Sequence, residues 1–315
     1  MAPAEDGLIN QTWLVGPEGG APRWVLQRVN PIFRPEVHDD IDVVTRHLRR
    51  CGVPEPLLVP TNEGRLYAHD PEGAVWRVLE YVPGVTVHKV EVPARAVAAA
   101  ELVARFHAAM AGLDYRYRHV RAGAHDTVFH MALLGSQEVA AGAEHVNEAA
   151  TLARRILDDW QVWPGNLDEP DAHAHGDLKI SNLRFSPSGE GLCLLDLDTL
   201  SRLPRSVEMG DALRSWGNPA GEEAPEVHFS MPIFEATLVG YRRVLPVSDA
   251  EAEGWLLGAE RIALELSARF CRDVWENRYF GWNAARYASR SAHNLLRARG
   301  QHHLALSIRR QRLGL

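Results

Sequence analysis

The densest run of chemistry-bearing residues is Asp171-Ala-His-Ala-His-Gly-Asp-Leu-Lys-Ile-Ser-Asn182, followed by Leu192-Cys-Leu-Leu-Asp-Leu-Asp198. Transfer of a phosphoryl group to an alcohol needs three things in one place. A carboxylate must orient the hydroxyl and accept its proton, oxygen ligands must hold magnesium against the ATP phosphates, and a cation must offset charge on the moving group. Within His175-Gly-Asp177-x-Lys179-x-x-Asn182, base, cation and amide oxygen follow at offsets of two and five, and Asp196 lies 19 residues beyond Asp177 at the end of an apolar run. On this reading Asp177 is the catalytic base, Lys179 the cation near the γ-phosphate, and Asn182 with Asp196 the ligands of Mg2+. Asp198 is either a second metal ligand or a residue that fixes the loop, and His175 orients the loop backbone. His173-Ala-His175-Gly-Asp177 also resembles half of a dinuclear metallohydrolase site, but that chemistry wants a histidine where Leu178 stands, and it leaves Lys179, Asn182 and Asp196 unused.

Only Lys89 and Lys179 are lysine among 34 basic residues. A lysine kept two positions after the base therefore points to a need for a compact ammonium there. It also means that no lysine precedes residue 89 to meet the ATP α/β-phosphates. Arg28 is the expected substitute, on a strand where period-2 alternation puts it on one face with Leu26, and Glu36 on the next helix is its candidate partner. A register shifted by one residue selects Gln27 instead. The turn Gly7-Leu8-Ile9-Asn10 is expected to cover the phosphates. Adenine is expected to bond main-chain groups near Glu80 and Val82, where the strand Trp76–Tyr81 ends.

These groups need a scaffold, and the chain supplies one with a strand-rich start and a helical remainder. Strands are expected near Gly7–Val15, Arg23–Val29, Arg65–His69 and Val75–Tyr81, with an amphipathic helix over Pro35–Arg50 on the stripe Val37, Ile41, Val44, Leu48. Pro83-Gly84 reads as a hinge. Beyond it come helices over Val92–Leu113 and Asn147–Trp160, a short buried strand at Leu192–Leu195, and further helices including Glu251–Trp275 and Tyr287–Arg310. The pattern predicts an α+β, two-lobed fold: residues 1–82 a nucleotide-binding sheet with one helix, residues 83–315 a larger, mostly helical lobe carrying the catalytic loop and acceptor pocket. Length fits two lobes, since 315 residues exceed the size at which one core usually stops growing. A net charge of −7 argues against a nucleic-acid or anionic-membrane partner. No apolar run approaches the ~20 residues that span a bilayer, and the opening MAPAEDGLIN, without a basic stretch followed by an apolar one, leads us to expect no signal peptide. Three widely spaced cysteines, Cys51, Cys193 and Cys271, read as buried thiols in a reducing cytoplasm.

The loop and the following Asp-x-Asp resemble the aminoglycoside phosphotransferase and choline kinase superfamily, which shares the protein-kinase fold. Longer matches resemble the N-acetylhexosamine 1-kinases: Gly7-x-Ile9-Asn10-x-Thr12, Val25-Leu-Gln-Arg-Val-Asn30, His125-Asp126-Thr127, Asp196-Leu-Asp198-Thr199, Gly210-Asp211-Ala-Leu-Arg214 and Arg269-Phe-x-x-Asp273. The resemblance spans about Gly7 to Arg299. It implies an ATP- and magnesium-dependent kinase acting on a small hydroxylated acceptor, the anomeric hydroxyl of an N-acetylhexosamine or related sugar. It implies Arg269 and Tyr279 in the sugar pocket, with His125, Asp126 and Arg214 near it and Ser215-Trp216 where that family tends to carry an aromatic contact. Arg269 and Asp273 also have the i,i+4 spacing of a structural ion pair. Another small alcohol, such as an aminoglycoside, homoserine or choline, is the alternative acceptor. Late arginines (Arg269, Arg272, Arg286) do not favour the cationic ones. A fold that binds nucleotide without turnover is the non-enzyme alternative.

Overall fold

The computed structural model describes residues 2–3, 10–136, 145–224 and 226–315. Alternating strand sequence near the start forms an antiparallel sheet of β1 (Ala2–Pro3), β2 (Gln11–Val15), β3 (Trp24–Arg28), β4 (Ala68–His69) and β5 (Val75–Glu80), in the order β1-β2-β3-β5-β4. Between β3 and β4 runs α1 (Val37–Arg50), which buries the predicted stripe Val37, Ile41, Val44 and Leu48. Acidic residues in its first turn and basic ones in its last complement the helix dipole.

The second lobe is helical with two small sheets. Its elements are β6 (Val85–Thr86), α2 (Pro93–Met110), α3 (Thr127–Gly135), α4 (Val146–Gln161), β7 (Ala172–Ala174), β8 (Leu183–Phe185), β9 (Gly191–Leu194), β10 (Ser201–Leu203), α5 (Arg205–Trp216), α6 (Met231–Arg242), α7 (Asp249–Glu276) and α8 (Arg290–Leu313). Strands β6, β8 and β9 pair in the order β6-β8-β9, and β7 pairs with β10. The expected two-lobed α+β architecture is present. The five long expected helices appear within three residues of their expected ends, because each shows several turns of periodicity. α3 was not expected, nor were β1, β6, β7, β8 and β10, whose two or three residues are too short for alternation to register.

α7 is the central post. Ser248 and Glu251 form a capping box at its start, and Asn277 ends it in the left-handed region at φ 51°. α5 packs on α7 at Gly210 and Gly258. A Cβ on Gly258 would lie 1.9 Å from the Ser206 carbonyl oxygen, so only glycine allows this approach. Trp216, Phe106, Tyr241, Trp255 and Phe270 fill the surrounding core, all at most 2% exposed. Each such burial contributes roughly 1.5–3 kcal/mol. The lobes are also joined by Asp40 of α1, whose carboxylate accepts from the Tyr115 hydroxyl (2.6 Å) and the His119 amide (2.9 Å). Cys193 and Cys271 are buried as expected, whereas Cys51 is exposed, because it follows the last turn of α1 on its solvent side. No helix among the described residues is long and apolar enough to cross a membrane.

Candidate active site

The segment between β7 and β8 is folded by hydrogen bonds that leave its charged side chains facing a cavity. Gly176 has φ 79°, and a Cβ there would lie 2.4 Å from the Thr199 oxygen, so the loop can cross the Asp196–Thr199 turn only at a glycine. Glu208, from the first turn of α5, collects the amides of His175 (2.8 Å) and Gly176 (3.0 Å). His175 donates from Nε2 to the Leu195 carbonyl (2.8 Å) and accepts the Asp177 amide on Nδ1 (3.2 Å). Its ring orients the backbone, as expected. His173 bonds the Leu113 carbonyl and the Tyr117 hydroxyl. Neither histidine is free to ligate metal, which removes the metallohydrolase reading.

On this frame Lys179 donates to Asp177 at 2.5 Å, and the Asn182 amide donates to the Asp177 carbonyl at 2.8 Å. Burial alone would raise the Asp177 pKa, but the Lys179 ammonium holds it down to about 2. Asp196 ends the run after β9 with φ 63°. Burial, then the neighbouring Asp198 charge, push its carboxyl up to about 7. Its position tests whether a divalent cation fits. Lys179 is engaged with Asp177 and Arg77 with Asp198, so Asp196 is the carboxyl that no ion pair among the described residues offsets. The Asn182 side chain has used its amide hydrogen, which leaves its oxygen. Hard oxygen donors of this kind suit magnesium or calcium. Among the described residues no cluster of three or more His, Cys, Asp or Glu could hold a metal. Asn182 and Asp196 would therefore share such an ion with nucleotide phosphates.

The sheet corrects two expectations. In the ladder Thr12, Gln27 and Arg77 stand side by side, and their side chains bond in series: Gln27 to Thr12 at 3.2 Å, Arg77 Nε to Gln27 at 2.8 Å. Arg77 then meets Asp198 with both Nη atoms, Nη2 at 2.8 Å. The odd residues of β3 thus face the cleft. Arg28 and Leu26 lie on the other face, where the Trp76 indole and, to a smaller degree, the Arg28 charge hold Asp70 ionised. The register is the one that selects Gln27. Asn10 is buried and its amide donates to Asp198 (2.9 Å), while its oxygen accepts from the Asn30 amide (2.8 Å). It is a brace for the Asp198 turn. Gly7, Leu8 and Ile9 lie outside the described residues. Glu80 and Val82 line a smaller cavity of about 470 Å³ with Arg49, Glu55, Tyr81 and Leu192, apart from the one that holds Asp177. Glu80 is ion-paired with Arg49, its amide donates to Leu57 (3.0 Å), and the Val82 carbonyl accepts from Arg184 (3.1 Å).

The larger cavity, about 1050 Å³, brings together Asp177, Lys179, Asp196, His125, Arg214, Arg269 and Tyr279. Arg214 is buried and engaged by Asp211 (3.1 Å) and Glu222 (2.6 Å). Arg269 lies over the rings of Tyr279 (5.8 Å) and Phe280 (5.7 Å) and pairs with Glu265 (3.6 Å). The Arg269–Asp273 pair is not made. Asp273 instead accepts the amides of Arg278, Tyr279 and Phe280, which shapes the turn after α7. His125, at φ 52°, donates from Nε2 to the Gly176 carbonyl at 2.9 Å. Asp126 does not line the cavity. It caps α3 by accepting the Phe129 amide at 3.0 Å, because the chain enters that helix there. Trp216 is buried beneath the loop, its indole donating to Leu178 (2.9 Å), and Ser215 accepts the Ile180 amide. Sequence reasoning missed Arg77, Glu208 and Arg121. Arg121 reaches the cavity from the segment before α3, donates to the Tyr279 hydroxyl and lies 5.8 Å from the Phe33 ring.

Residues 1–245 match the sequence profile of the phosphotransferase enzyme family. No curated protein matches the sequence. Among solved structures the fold is similar to a choline kinase from Cryptosporidium parvum Iowa II (TM-score 0.63, 12% identity, 99% of this chain and 89% of that one). It is similar to a microcompartment-associated aminopropanol kinase (0.63, 17%, 97% and 91%). A third is amicoumacin kinase hAmiN in complex with AMP-PNP, Ca2+ and Ami (0.61, 14%, 94% and 85%).

Proposed function

The chain belongs to the phosphotransferase enzyme family, and from that premise we propose that it transfers the γ-phosphoryl group of ATP to a hydroxyl of a small sugar-like acceptor. The observation that carries this reading is the convergence of Asp177, Lys179 and Asp196 on one cavity of about 1050 Å³. Asp177, ionised at neutral pH, orients the acceptor hydroxyl and takes its proton. Lys179 sits beside it as the cation nearest the transferring group. Asn182 and Asp196 hold magnesium, which neutralises phosphate charge when bound. Adenine binds from the cleft side against the main chain of residues 80–82, with residues 1–82 and 83–315 as the lobes that meet at Pro83-Gly84.

For the acceptor we propose an N-acetylhexosamine or related hexose, phosphorylated at its anomeric hydroxyl. Planar polar groups and aromatic faces suit a sugar's hydroxyls and C–H surfaces. Arg269, Tyr279, Phe280 and Arg121 provide them on one wall. On another, the buried Asp211 holds Arg214 at 3.1 Å. Guanidinium groups on Tyr279 disfavour cationic acceptors such as choline. ATP supply and three unpaired cysteines favour a cytoplasmic setting.

The test is ADP release with Mg2+ across free sugars, N-acetylated and plain amino sugars, homoserine, choline and aminoglycosides. Turnover restricted to hexoses and N-acetylhexosamines is expected. Turnover on a cationic acceptor overturns the acceptor assignment, and nucleotide binding with no turnover on any acceptor leaves the catalytic reading without support.

A further inference from the structure

The Asp196–Thr199 turn is gripped from the sheet lobe. Asp198, 2% exposed, accepts from Asn10 Nδ2 (2.9 Å) and from both Nη atoms of Arg77 (Nη2 2.8 Å). Arg77, 3% exposed, spends its Nε on Gln27 (2.8 Å), its neighbour in the β3–β5 ladder. Asn10 lies just before β2 and is itself tied to the Asn30 amide beyond β3 (2.8 Å). Each of these donors belongs to the sheet lobe, while Asp198 is two residues past Asp196 in the other lobe.

We infer that Arg77 is a positioning residue: with Asn10 it clamps Asp198, and through that buried ion pair the sheet lobe sets the orientation of the adjacent metal ligand, Asp196. The inference rests on the phosphotransferase reading above. Two physical arguments carry it. Asp196 holds left-handed backbone angles (φ 63°, ψ 58°), uncommon for a residue with a side chain even though aspartate tolerates them better than most, so contacts around the turn help to hold them. Beside the His175 contact to the Leu195 carbonyl, the nearest anchor is Asp198, the only charged side chain of the single 3-10 turn formed by residues 197–199. The second argument is charge. Asp177, Asp196 and Asp198 line one cavity. With Lys179 on Asp177 and Arg77 on Asp198, Asp196 is the carboxylate left to meet a cation. Without Arg77, Asp198 would compete for that cation and the turn would lose its fork-shaped anchor. Gln27 occupies the cleft-facing strand position where a cation was sought, and the cation stands one strand over, aimed at the metal turn.

The experiment measures AMP-PNP affinity of the full chain by calorimetry, with Mg2+ and with EDTA, beside thermal melting and ADP release. Arg77→Lys keeps the charge but loses the bidentate contact. The pair Arg77→Met with Asp198→Asn removes both charges, so neither is left buried alone. Both are expected to melt near the parent and to bind metal-free nucleotide within about twofold of it. Both are expected to lose at least about tenfold of the magnesium-linked gain in affinity, with kcat falling by a similar factor and the acceptor KM hardly moving. A variant that melts like the parent and keeps its magnesium-linked affinity and kcat overturns the inference. If both variants fail to fold, Asn10→Ala decides. It should cost a few-fold of the magnesium-linked gain, and no change overturns the clamp. A parent that binds AMP-PNP equally with and without magnesium overturns the functional reading itself, and this inference with it.

Discussion

Asp177 is the residue on which the proposed chemistry turns, and its environment is built to keep it ionised. Lys179 at 2.5 Å outweighs burial and holds the carboxyl at about 2, so it is a carboxylate at any physiological pH. Asp177→Asn keeps the shape and removes that carboxylate. Turnover is expected to fall by about two to four decades, the usual scale for a general base, with AMP-PNP affinity nearly unchanged. Near-parental steady-state turnover would sink the assignment. Arg28 and Gln27 are a second pair at this scale. Arg28 faces away from the cleft, so Arg28→Met should leave the KM for ATP within about twofold. Gln27→Ala, which frees the Nε of Arg77, should raise it several-fold. The opposite ranking in initial-rate measurements would mean that the sheet face is misassigned. Asp177, Lys179 and Asn182 were legible because their side chains are placed by one loop and their spacing is itself the signal. Arg77 was not. In Val75-Trp-Arg-Val-Leu79 an arginine looks like any outward strand residue, and only pairing with β3 and the arrival of Asp198 show that it points inward.

At the scale of elements, the residues near the acceptor divide into those that face the cavity and those that build its walls. Asp126 belongs to the second group. Asp126→Ala removes the N-cap of α3 and should lower stability by about 1 kcal/mol in urea unfolding, while the acceptor KM stays within about twofold. A large rise in that KM with stability unchanged would return Asp126 to the binding site. Gly258 tests the crossing of α5 on α7. Gly258→Ala puts a methyl into the Ser206 carbonyl, and because α5 carries Glu208, the loop it holds should shift as well. A melting temperature lowered by several degrees together with a fall in kcat is expected. An unchanged kcat in a destabilised variant would show that α5 moves without carrying the loop. Long helices were legible because their apolar stripes repeat over several turns. α3 was not, although His125-Asp126-Thr127 contains its cap, because the motif was read as ligand chemistry.

Across the whole molecule, burial sets how stability follows pH. His38, His107, His130, His173, His293 and His302 all have lowered pKa values, with burial the largest cause in each. They are neutral when folded, so the unfolded chain binds more protons below about 6.5, and their contribution is lost as pH falls through that value. Glu55, Glu260 and Asp196 are raised by burial and act in the opposite sense, losing stability as pH rises from the ordinary carboxylate range. The two sets pull stability in opposite directions as pH changes, and a variant that removes one buried group separates them. Glu55→Gln keeps an acceptor for the Leu194 amide (2.7 Å) and removes a buried acid. Its gain over the parent should therefore grow with pH from about 4.5 upward. A gain that is the same at pH 5 and pH 8 would show that Glu55 does not change its protonation on folding.

The sequence by itself determined the catalytic-loop segment, the two-lobed α+β plan and the long helices, since each is encoded within a few consecutive residues or a repeating period. Contacts between distant segments decided the rest. Which face of β3 looks into the cleft depends on its pairing with β2 and β5. Whether Asp198 serves metal or arginine depends on a residue 121 positions earlier. Whether Asp126 touches a ligand or caps a helix depends on where α3 begins. A side chain's type and spacing limit what it can do, but its partner is chosen by the packing that brings two parts of the chain within about 3 Å of each other.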